Sequence, residues 1–432
     1  MKPKLSVAVW AGNSIGGSEK AAVIYAVELA RRGHRVVFLG PVGPRDAALA
    51  QGNVTRKNPP ADAAGLAEFF KKERFDLVHQ HVPGYAQTNQ IYDAFRLLAG
   101  QRPRLIETNV FGLLEDPEGD KWVDFRCFIA RASAVQAFQR SGRTLNDKAL
   151  AKCTVVFYPL IPLDAATRAR TRRAAIRQEL GIQANEIFIL RFGREGKKWN
   201  KDEVAVFRQA RRRNPLLRML LMEPRKDIWS EVEAGKWGEG ILLRPALSDF
   251  DRLAAIYSAG DLMLHMSDFG ESYGYTIAEA MQHGLPLVTR STPFCDNTQV
   301  ELVEHGTTGY VCNSRGGAAE CLLRLAEDSH LRAQFGAAAV ERIAHLSNLE
   351  LETDLLEEIM GHVVLGEPLQ KVAERNRELL EFAALFAARE RRVWELEAPG
   401  RKLSYLQGAC YGAYRTFRSK VGRIRRALNR QV

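Results

Sequence analysis

Apolar residues along the chain fall into short unbroken runs separated by helical patterns, as expected of strands buried on both faces. Leu5 to Trp10 is apolar and partly β-branched, with no polar alternation, which predicts a buried parallel strand. A glycine-containing loop at 12–17 follows. A helical pattern then runs from about Ser18, with Glu19 in its first turn, to Arg32 and is stopped by Gly33. Val36 to Leu39 predicts the next strand, so about forty residues make one βαβ unit with parallel pairing. Helical Ala61 to Arg74, strand Asp76 to His81, helical Ala86 to Leu98 and strand Arg104 to Asn109 continue the alternation. Beyond the charged loop at 112–120, strand-like Phe128-Ile129 and Val155 to Phe157 bracket helical Ala132 to Ser141.

A second cycle begins after the proline-bracketed break at Pro159 and Pro162 and a basic helix predicted over Ala165 to Leu180. Ile187 to Leu190 predicts a strand leaving into a cationic stretch, Arg191 to Lys201, ahead of helix Lys201 to Arg213. Strands at Met219 to Met222 and Ile241 to Leu243, helix Asp249 to Ala259 and strand Asp261 to Met266 follow. The chain then enters Phe269 to Met281, with glycines at 270 and 274 and glutamates at 271 and 279, and stops at Gly284-Leu285-Pro286. Strands at Leu285 to Thr289 and Tyr310 to Cys312 flank helical Val300 to His305. The pattern predicts an α/β protein with domains at 1–160 and 161–365 and a helical extension at 366–432.

Composition adds limits. The 432 residues suffice for two to three domains, and 46% apolar with 26% charged residues is ordinary globular usage. Six scattered cysteines without a C-x-x-C pair read as reduced thiols in a cytoplasmic protein. No apolar run approaches the roughly 18 residues needed to span a bilayer. The brief apolar N-terminus reads as a first strand, not a signal peptide. The net charge of +11 is uneven: residues 401–432 hold nine Lys/Arg and no carboxylate, leaving +2 for the rest.

Candidate chemistry lies at predicted strand exits, where open α/β sheets bind ligands. The loop before the first helix is spaced G-x-x-x-G-G, and the second strand ends without an acidic residue, so a dinucleotide site is not expected. Gly16 and Gly17 still permit close backbone approach beside a helix N-terminus that favours anions; a tight turn with no ligand is the alternative. His81, Glu107 and Asn109 fall at strand ends, though a strand-end histidine is more often simply packed. Arg194, Lys198 and Lys201 make a plausible diphosphate clamp, or else a solvated basic turn. On one continuous helix Glu271 and Glu279 would stand ~12 Å and ~80° apart, too far for one metal but suited to gripping two parts of a long ligand.

This constellation resembles the retaining glycosyltransferases of the GT-B class called family 4, from about residue 5 to 345. The similarity rests on Gly16-Gly17-Ser18-Glu19, Gly193-Arg194 with Lys198-Trp199, Tyr257 to Asp261, Glu271 to Met281, Gly284-Leu285-Pro286 and Gly306 to Gly309. The resemblance implies a GT-B fold of two Rossmann-like domains facing across a cleft, with a nucleotide-sugar co-substrate held mainly by the second. It assigns Glu279 to the ribose and Glu271 to the transferred sugar. Gly274 and Tyr275 fall among the backbone amides approaching the donor. Arg194 and Lys198 fall at the diphosphate, with Lys201 as the alternative lysine, and Gly16 and Gly17 near the phosphates and acceptor. No D-x-D carboxylate pair suited to a divalent metal stands at a predicted strand end, and no metal or other cofactor is expected. Many family members carry a histidine where this chain has Glu107-Thr108-Asn109; Asn109 cannot act as a base, which draws attention to His81 for the acceptor.

The resemblance ends near Gly366. Leu369 to Glu397 reads as a mixed-charge helix. Beyond Pro399-Gly400, residues Leu403, Leu406, Cys410, Tyr414, Phe417, Val421, Ile424 and Leu428 form one apolar stripe in a basic segment. Such a helix suits an anionic membrane surface; packing back on protein is the alternative, and nucleic acid is not expected. Together these readings predict transfer of a sugar to a lipid-linked or cell-surface glycan acceptor at the inner membrane face. A catalytically silent scaffold acting through residues 366–432 is the rival expectation.

Overall fold

The computed structural model describes residues 3–397, apart from 83–88, 115, 117, 169, 197, 248 and 293–294. The basic segment 401–432, expected to be an amphipathic helix, lies outside the described residues. The chain divides into two compact units. One comprises Met1–Leu163, Ser272–Tyr275 and Ile343–Ala384; the other is built on Asp164–Glu271 and Thr276–Arg342.

The first unit holds a parallel sheet of seven strands: β1 Ser6–Trp10, β2 Arg35–Leu39, β3 Thr55–Lys57, β4 Leu77–Val82, β5 Arg104–Asn109, β6 Phe125–Phe128 and β7 Cys153–Val155. Their order is β3-β2-β1-β4-β5-β6-β7, with Val7 to Trp10 paired to Val36 to Leu39 on one side and to Leu77 to Gln80 on the other. The second unit holds six parallel strands: β8 Ile187–Phe192, β9 Leu217–Met222, β10 Ile241–Arg244, β11 Leu262–His265, β12 Leu287–Arg290 and β13 Gly309–Cys312. Their order is β10-β9-β8-β11-β12-β13. In each sheet the order reverses beside the first strand, between β1 and β4 and between β8 and β11. A crevice opens at such a switch point, beyond the carboxyl ends of the strands, and ligands bind there.

Burial explains the strand runs. Val7, Val9, Ile106, Leu262, Leu264 and Val288 are closed to solvent, with helices covering both faces of each sheet. The predicted first helix is Gly17–Arg31. The basic helix expected over 165–180 is two short helices, Ala165–Arg168 and Arg173–Glu179, with Arg170 between them at φ 54°. A left-handed residue of this kind cannot continue a right-handed helix.

The chain after residue 343 returns to the first unit. Asn348 caps helix Leu349–Leu365 by accepting from the Leu351 amide at 3.1 Å. Leu355, Leu356, Ile359, Met360 and Val363 of this helix join the core around Val7, Val9, Tyr25 and Leu29. Polar links run alongside: Arg32 reaches Asp354 at 2.6 Å and Glu357 at 2.9 Å, and buried Glu352 takes Arg375 at 2.8 Å and the Phe157 amide at 2.8 Å. Helix Gln370–Glu397 follows the expected mixed-charge helix closely. Among the described residues no helix is long and apolar enough to cross a membrane.

Candidate functional site

In the second unit, the cationic stretch leaving β8 is held in place from below. Arg191 is fully buried, ion-paired through Nε with Glu203 at 2.6 Å, and its guanidinium lies 4.2 Å from the Trp199 ring centre. Its Nη2 also donates to the Lys198 carbonyl at 3.3 Å. The same Glu203 oxygen accepts from the Met266 amide at 3.3 Å, and the Asn200 side chain donates to the Met266 carbonyl. The loop after β8 is thereby tied to the exit of β11, so the two edges of this switch point move together.

At that junction sits Glu271. One carboxylate oxygen accepts a charged hydrogen bond from Lys198 Nζ, and the other lies 3.0 Å from His265 Nε2. The Glu271 amide donates to Gln299 Oε1 at 2.9 Å, and its carbonyl accepts from the Thr298 amide at 3.0 Å. Burial alone would raise the carboxyl pKa, but Lys198 and His265 outweigh it and hold the group well below the usual range. His265, at the end of β11, is itself pushed down by burial and by the Arg191 charge. Its Nδ1 has no partner, so the neutral ring carries its proton on Nε2 and donates it to Glu271.

Gly270 makes this approach possible. Its φ is +61°, and a Cβ would stand 1.7 Å from the Asp296 carbonyl oxygen. Glu271 therefore precedes helix Tyr275–Gln282, while Glu279 lies within it. The conditional picture of two carboxylates on one helix does not apply. Half-buried Glu279 accepts from the Tyr257 hydroxyl at 2.9 Å. The Tyr257 ring is wedged against Phe192 at 4.6 Å and stacked on His283 at 5.0 Å. Burial, then the Glu279 charge, pushes the phenol pKa up, so Tyr257 stays a donor.

The remaining cations divide. Arg194 is exposed and has no partner among the described residues. Lys201 is engaged elsewhere, with Glu231 at 2.7 Å and Asp227 at 3.8 Å. The structure thus brings Lys198 and Glu271 together, leaves Arg194 available to a ligand, and places Lys201 in a separate ion pair.

In the first unit, β1 leads through the glycine loop into the helix at Gly17. The loop is fixed by Arg45, which donates to the Ser14 carbonyl at 3.1 Å and the Ile15 carbonyl at 3.3 Å. Gly16 is the helix N-cap without a side-chain cap, which leaves its first amides to other partners. A Cβ on Gly17 would lie 3.0 Å from Tyr275 Cδ2, so the two predicted site residues are neighbours. Gly274 has φ +95°, and the segment Ser272–Tyr275 is fastened by Tyr273 donating to the Tyr158 carbonyl at 2.7 Å and Tyr275 to the Pro159 carbonyl at 3.1 Å.

On the acceptor side, Asn109 is fully buried, with its amide group given to local structure. It donates to the Leu113 carbonyl at 2.6 Å and to Glu107 at 3.2 Å, and accepts from the Leu113 amide at 3.1 Å. Glu107 is paired with Arg126 at 2.6 Å. His81, across the switch point from the glycine loop, has neither ring nitrogen paired, although both are closed to solvent.

Sequence reasoning missed His265, Tyr257 as the partner of Glu279, the Arg191–Glu203 pair and Tyr158. Two of these had a signal. His265 lies near the end of a predicted strand, six residues before Glu271, and Tyr257 belongs to a stretch that already carried the resemblance.

Comparison with known proteins agrees with this layout. Residues 187–328 match the family model for glycosyl transferases group 1. No curated protein matches the sequence. Among solved structures, a glycosyltransferase from Rickettsia africae superposes with a TM-score of 0.68 at 14% identity, over 84% of this chain and 100% of that one. Alr3699/HepE from Anabaena, in complex with UDP-glucose, gives 0.66 at 15% identity, over 83% and 99%. WaaG, a glycosyltransferase involved in lipopolysaccharide biosynthesis, gives 0.57 at 15% identity, over 82% and 99%. The second unit thus contains a group 1 glycosyl transferase domain, and the fold is GT-B.

Proposed function

We propose that the chain is a retaining, family 4-type glycosyltransferase that moves a hexosyl group from a nucleoside diphosphate sugar to a hydroxyl of a lipid-linked or cell-surface glycan. The observation that carries this reading is the Lys198–Glu271–His265 cluster at the β8/β11 switch point, with Glu279 on the helix that follows. Glu279 is assigned to the ribose hydroxyls and Glu271 to the hydroxyls of the transferred sugar. Arg194 and Lys198 are assigned to the diphosphate, with Gly16, Gly17, Gly274 and Tyr275 supplying close backbone approach. The Anabaena neighbour holds UDP-glucose, which supports a uridine diphosphate donor.

In this reading the bond from the anomeric carbon to the diphosphate oxygen breaks, and a bond to the acceptor oxygen forms on the same face. The acceptor proton passes to the departing diphosphate. Negative charge grows on that diphosphate, and fixed cations stabilise it as it appears. Arg194 offers a fork of N–H donors; Lys198, with three, can serve Glu271 and a phosphate oxygen together. With these cations at the diphosphate, the reaction is proposed to proceed without a metal or other cofactor. Localisation at the inner membrane face, through the basic segment 401–432, is part of the same proposal and draws on WaaG's role in lipopolysaccharide biosynthesis.

A thermal-shift and calorimetric panel of nucleotide sugars on the full-length protein tests the reading. One donor should bind, and Glu279→Ala and Arg194→Ala should each lose it. Tight binding that ignores both changes refutes the donor site. Absence of hydrolysis or transfer with every donor and with lipid extracts favours the silent scaffold.

A further inference from the structure

Beyond β12 a network of buried side chains closes on the backbone of Glu271. Gln299, which opens the short helix Gln299–Leu302, is 1% exposed. Its Oε1 accepts from the Glu271 amide at 2.9 Å. Its Nε2 donates to the Arg290 carbonyl at 3.0 Å and to the Thr292 hydroxyl at 2.7 Å. A backbone N–H can only donate and a carbonyl can only accept, so these two neighbours leave the Gln299 amide one orientation. The Thr298 amide donates to the Glu271 carbonyl at 3.0 Å. Both backbone polar groups of Glu271 are thus tied to two successive residues.

Gln299 is itself held. The Thr292 hydroxyl that accepts from it donates to the Asp296 carbonyl at 2.6 Å. Asn297 Oδ1 accepts from the Thr292 amide at 2.8 Å and from Gln299 Nε2 at 3.1 Å, while Asn297 Nδ2 donates to the Ser291 hydroxyl at 3.3 Å. Gly270 lets the chain lie directly against this network, since a Cβ there would stand 2.2 Å from Thr292 Oγ1. Arg290 adds a second hold on the same stretch, with its guanidinium ion-paired to Asp268 and Asp202.

The consequence lies at the carboxylate. Glu271 keeps one oxygen on Lys198 and the other on His265 only while its backbone stays in register with both. Hydrogen bonds weaken steeply with distance and angle, so a backbone shift of about 1 Å would break one of the two. Misplacement on that scale costs a reaction about a hundredfold. Gln299 bonds only Glu271, Arg290, Thr292 and Asn297 among the described residues, and none of the groups assigned to the ribose or the diphosphate. Its influence is confined to the sugar end of the site.

We propose that Gln299 is a positioning residue for sugar transfer, which acts through the Glu271 backbone to set the carboxylate between Lys198 and His265. The role in transfer rests on the glycosyltransferase reading; the hold on Glu271 does not. Two measurements on the full-length protein test it with Gln299→Met, which keeps the side-chain length and removes the amide. With the donor identified by the nucleotide-sugar panel, kcat should fall about tenfold to a hundredfold. UDP affinity should stay within about twofold, because Glu279 is untouched. By proton NMR, the His265 imidazole N–H, assigned as the downfield signal that His265→Gln removes, should shift and exchange faster with water. Thr292→Val should act in the same direction to a smaller extent, and Thr292→Ser, which returns the hydroxyl, should restore both kcat and the signal.

Leu325→Ala, in the buried core under helix Arg315–Glu327, controls for lost stability. It should lower the melting temperature and leave the His265 signal in place. A His265 signal unchanged in Gln299→Met and Thr292→Val overturns the proposal. So does a rate loss confined to KM, or one that Leu325→Ala reproduces. Should Gln299→Met not fold, the Thr292→Val and Thr292→Ser pair decides by the same two readouts. A His265 signal that responds as expected, in a protein that turns over no donor, would sink the glycosyltransferase reading and leave the hold on Glu271 standing.

Discussion

His265 donates its Nε2–H to Glu271 Oε1 over 3.0 Å, and the opposite nitrogen of the ring has no partner. This fixes the tautomer and leaves the ring one task, which is to aim the carboxylate. If Glu271 grips the transferred sugar, His265→Ala should lower kcat by about tenfold to a hundredfold, the worth of a hydrogen bond to a charged group, with little change in donor KM. Gln can return an N–H near the Nε2 position, so His265→Gln should recover much of the rate. Equal loss of kcat in both variants, or a loss confined to KM, contradicts the positioning role.

Lys198 and Lys201 are expected to separate. Lys198 is the counter-charge of Glu271, whereas Lys201 is occupied by Glu231. Lys198→Ala should therefore remove most activity and also let burial raise the Glu271 pKa, moving the acid limb of the pH–rate profile upward. Lys201→Ala should change kcat/KM by less than about threefold, the scale of an exposed ion pair. A larger effect from Lys201 than from Lys198, measured as kcat/KM across pH, would reverse the assignment.

The second unit was the more legible in sequence, and the reason is physical. Glu271, Glu279, Arg194 and Lys198 lie on or beside one βα connection each, so local spacing fixed their strand and helix contexts. The short β3 and the break at Arg170 were not legible, since three residues carry no periodic signal and nothing in a basic helical pattern marks a left-handed residue. Nor was the return of Leu349–Leu365 to the first core, because an apolar helix face does not name the sheet it will cover. Asn109 shows the same limit: its strand-end position was visible, but its commitment to Leu113 and Glu107 depends on a turn that spacing alone does not specify.

Tyr257 donates a 2.9 Å hydrogen bond to Glu279 from a ring packed between Phe192 and His283. Tyr257→Phe keeps the packing and removes the donor, so it isolates the orienting effect. Calorimetry with UDP should show binding weaker by about fivefold to tenfold, the worth of one hydrogen bond, and Glu279→Ala should lose more. UDP binding unchanged in Tyr257→Phe would mean that Glu279 needs no orientation, or does not meet the ribose.

Three buried histidines set the response to acid. His79, His81 and His265 are all pushed below the ordinary value, mainly by burial, and His79 reaches about 4. Below about pH 6.5 the unfolded chain binds protons at these rings while the folded chain does not. Stability should therefore be level above that pH and fall as the solution is acidified toward 4. Glu271 acts in a lower window: the stability from its depressed pKa is present above about 4.5 and is lost below it. For His79 alone the loss between pH 7.5 and 5 is about 2 kcal/mol. Urea unfolding near pH 7.5 and near pH 5 should show this fall, and His79→Gln, which can still reach Thr108, should shrink the difference by about that amount. A wild-type protein equally stable at both values would mean that these rings take up protons without cost, and that the β4 histidines are open to water rather than held neutral inside the first unit.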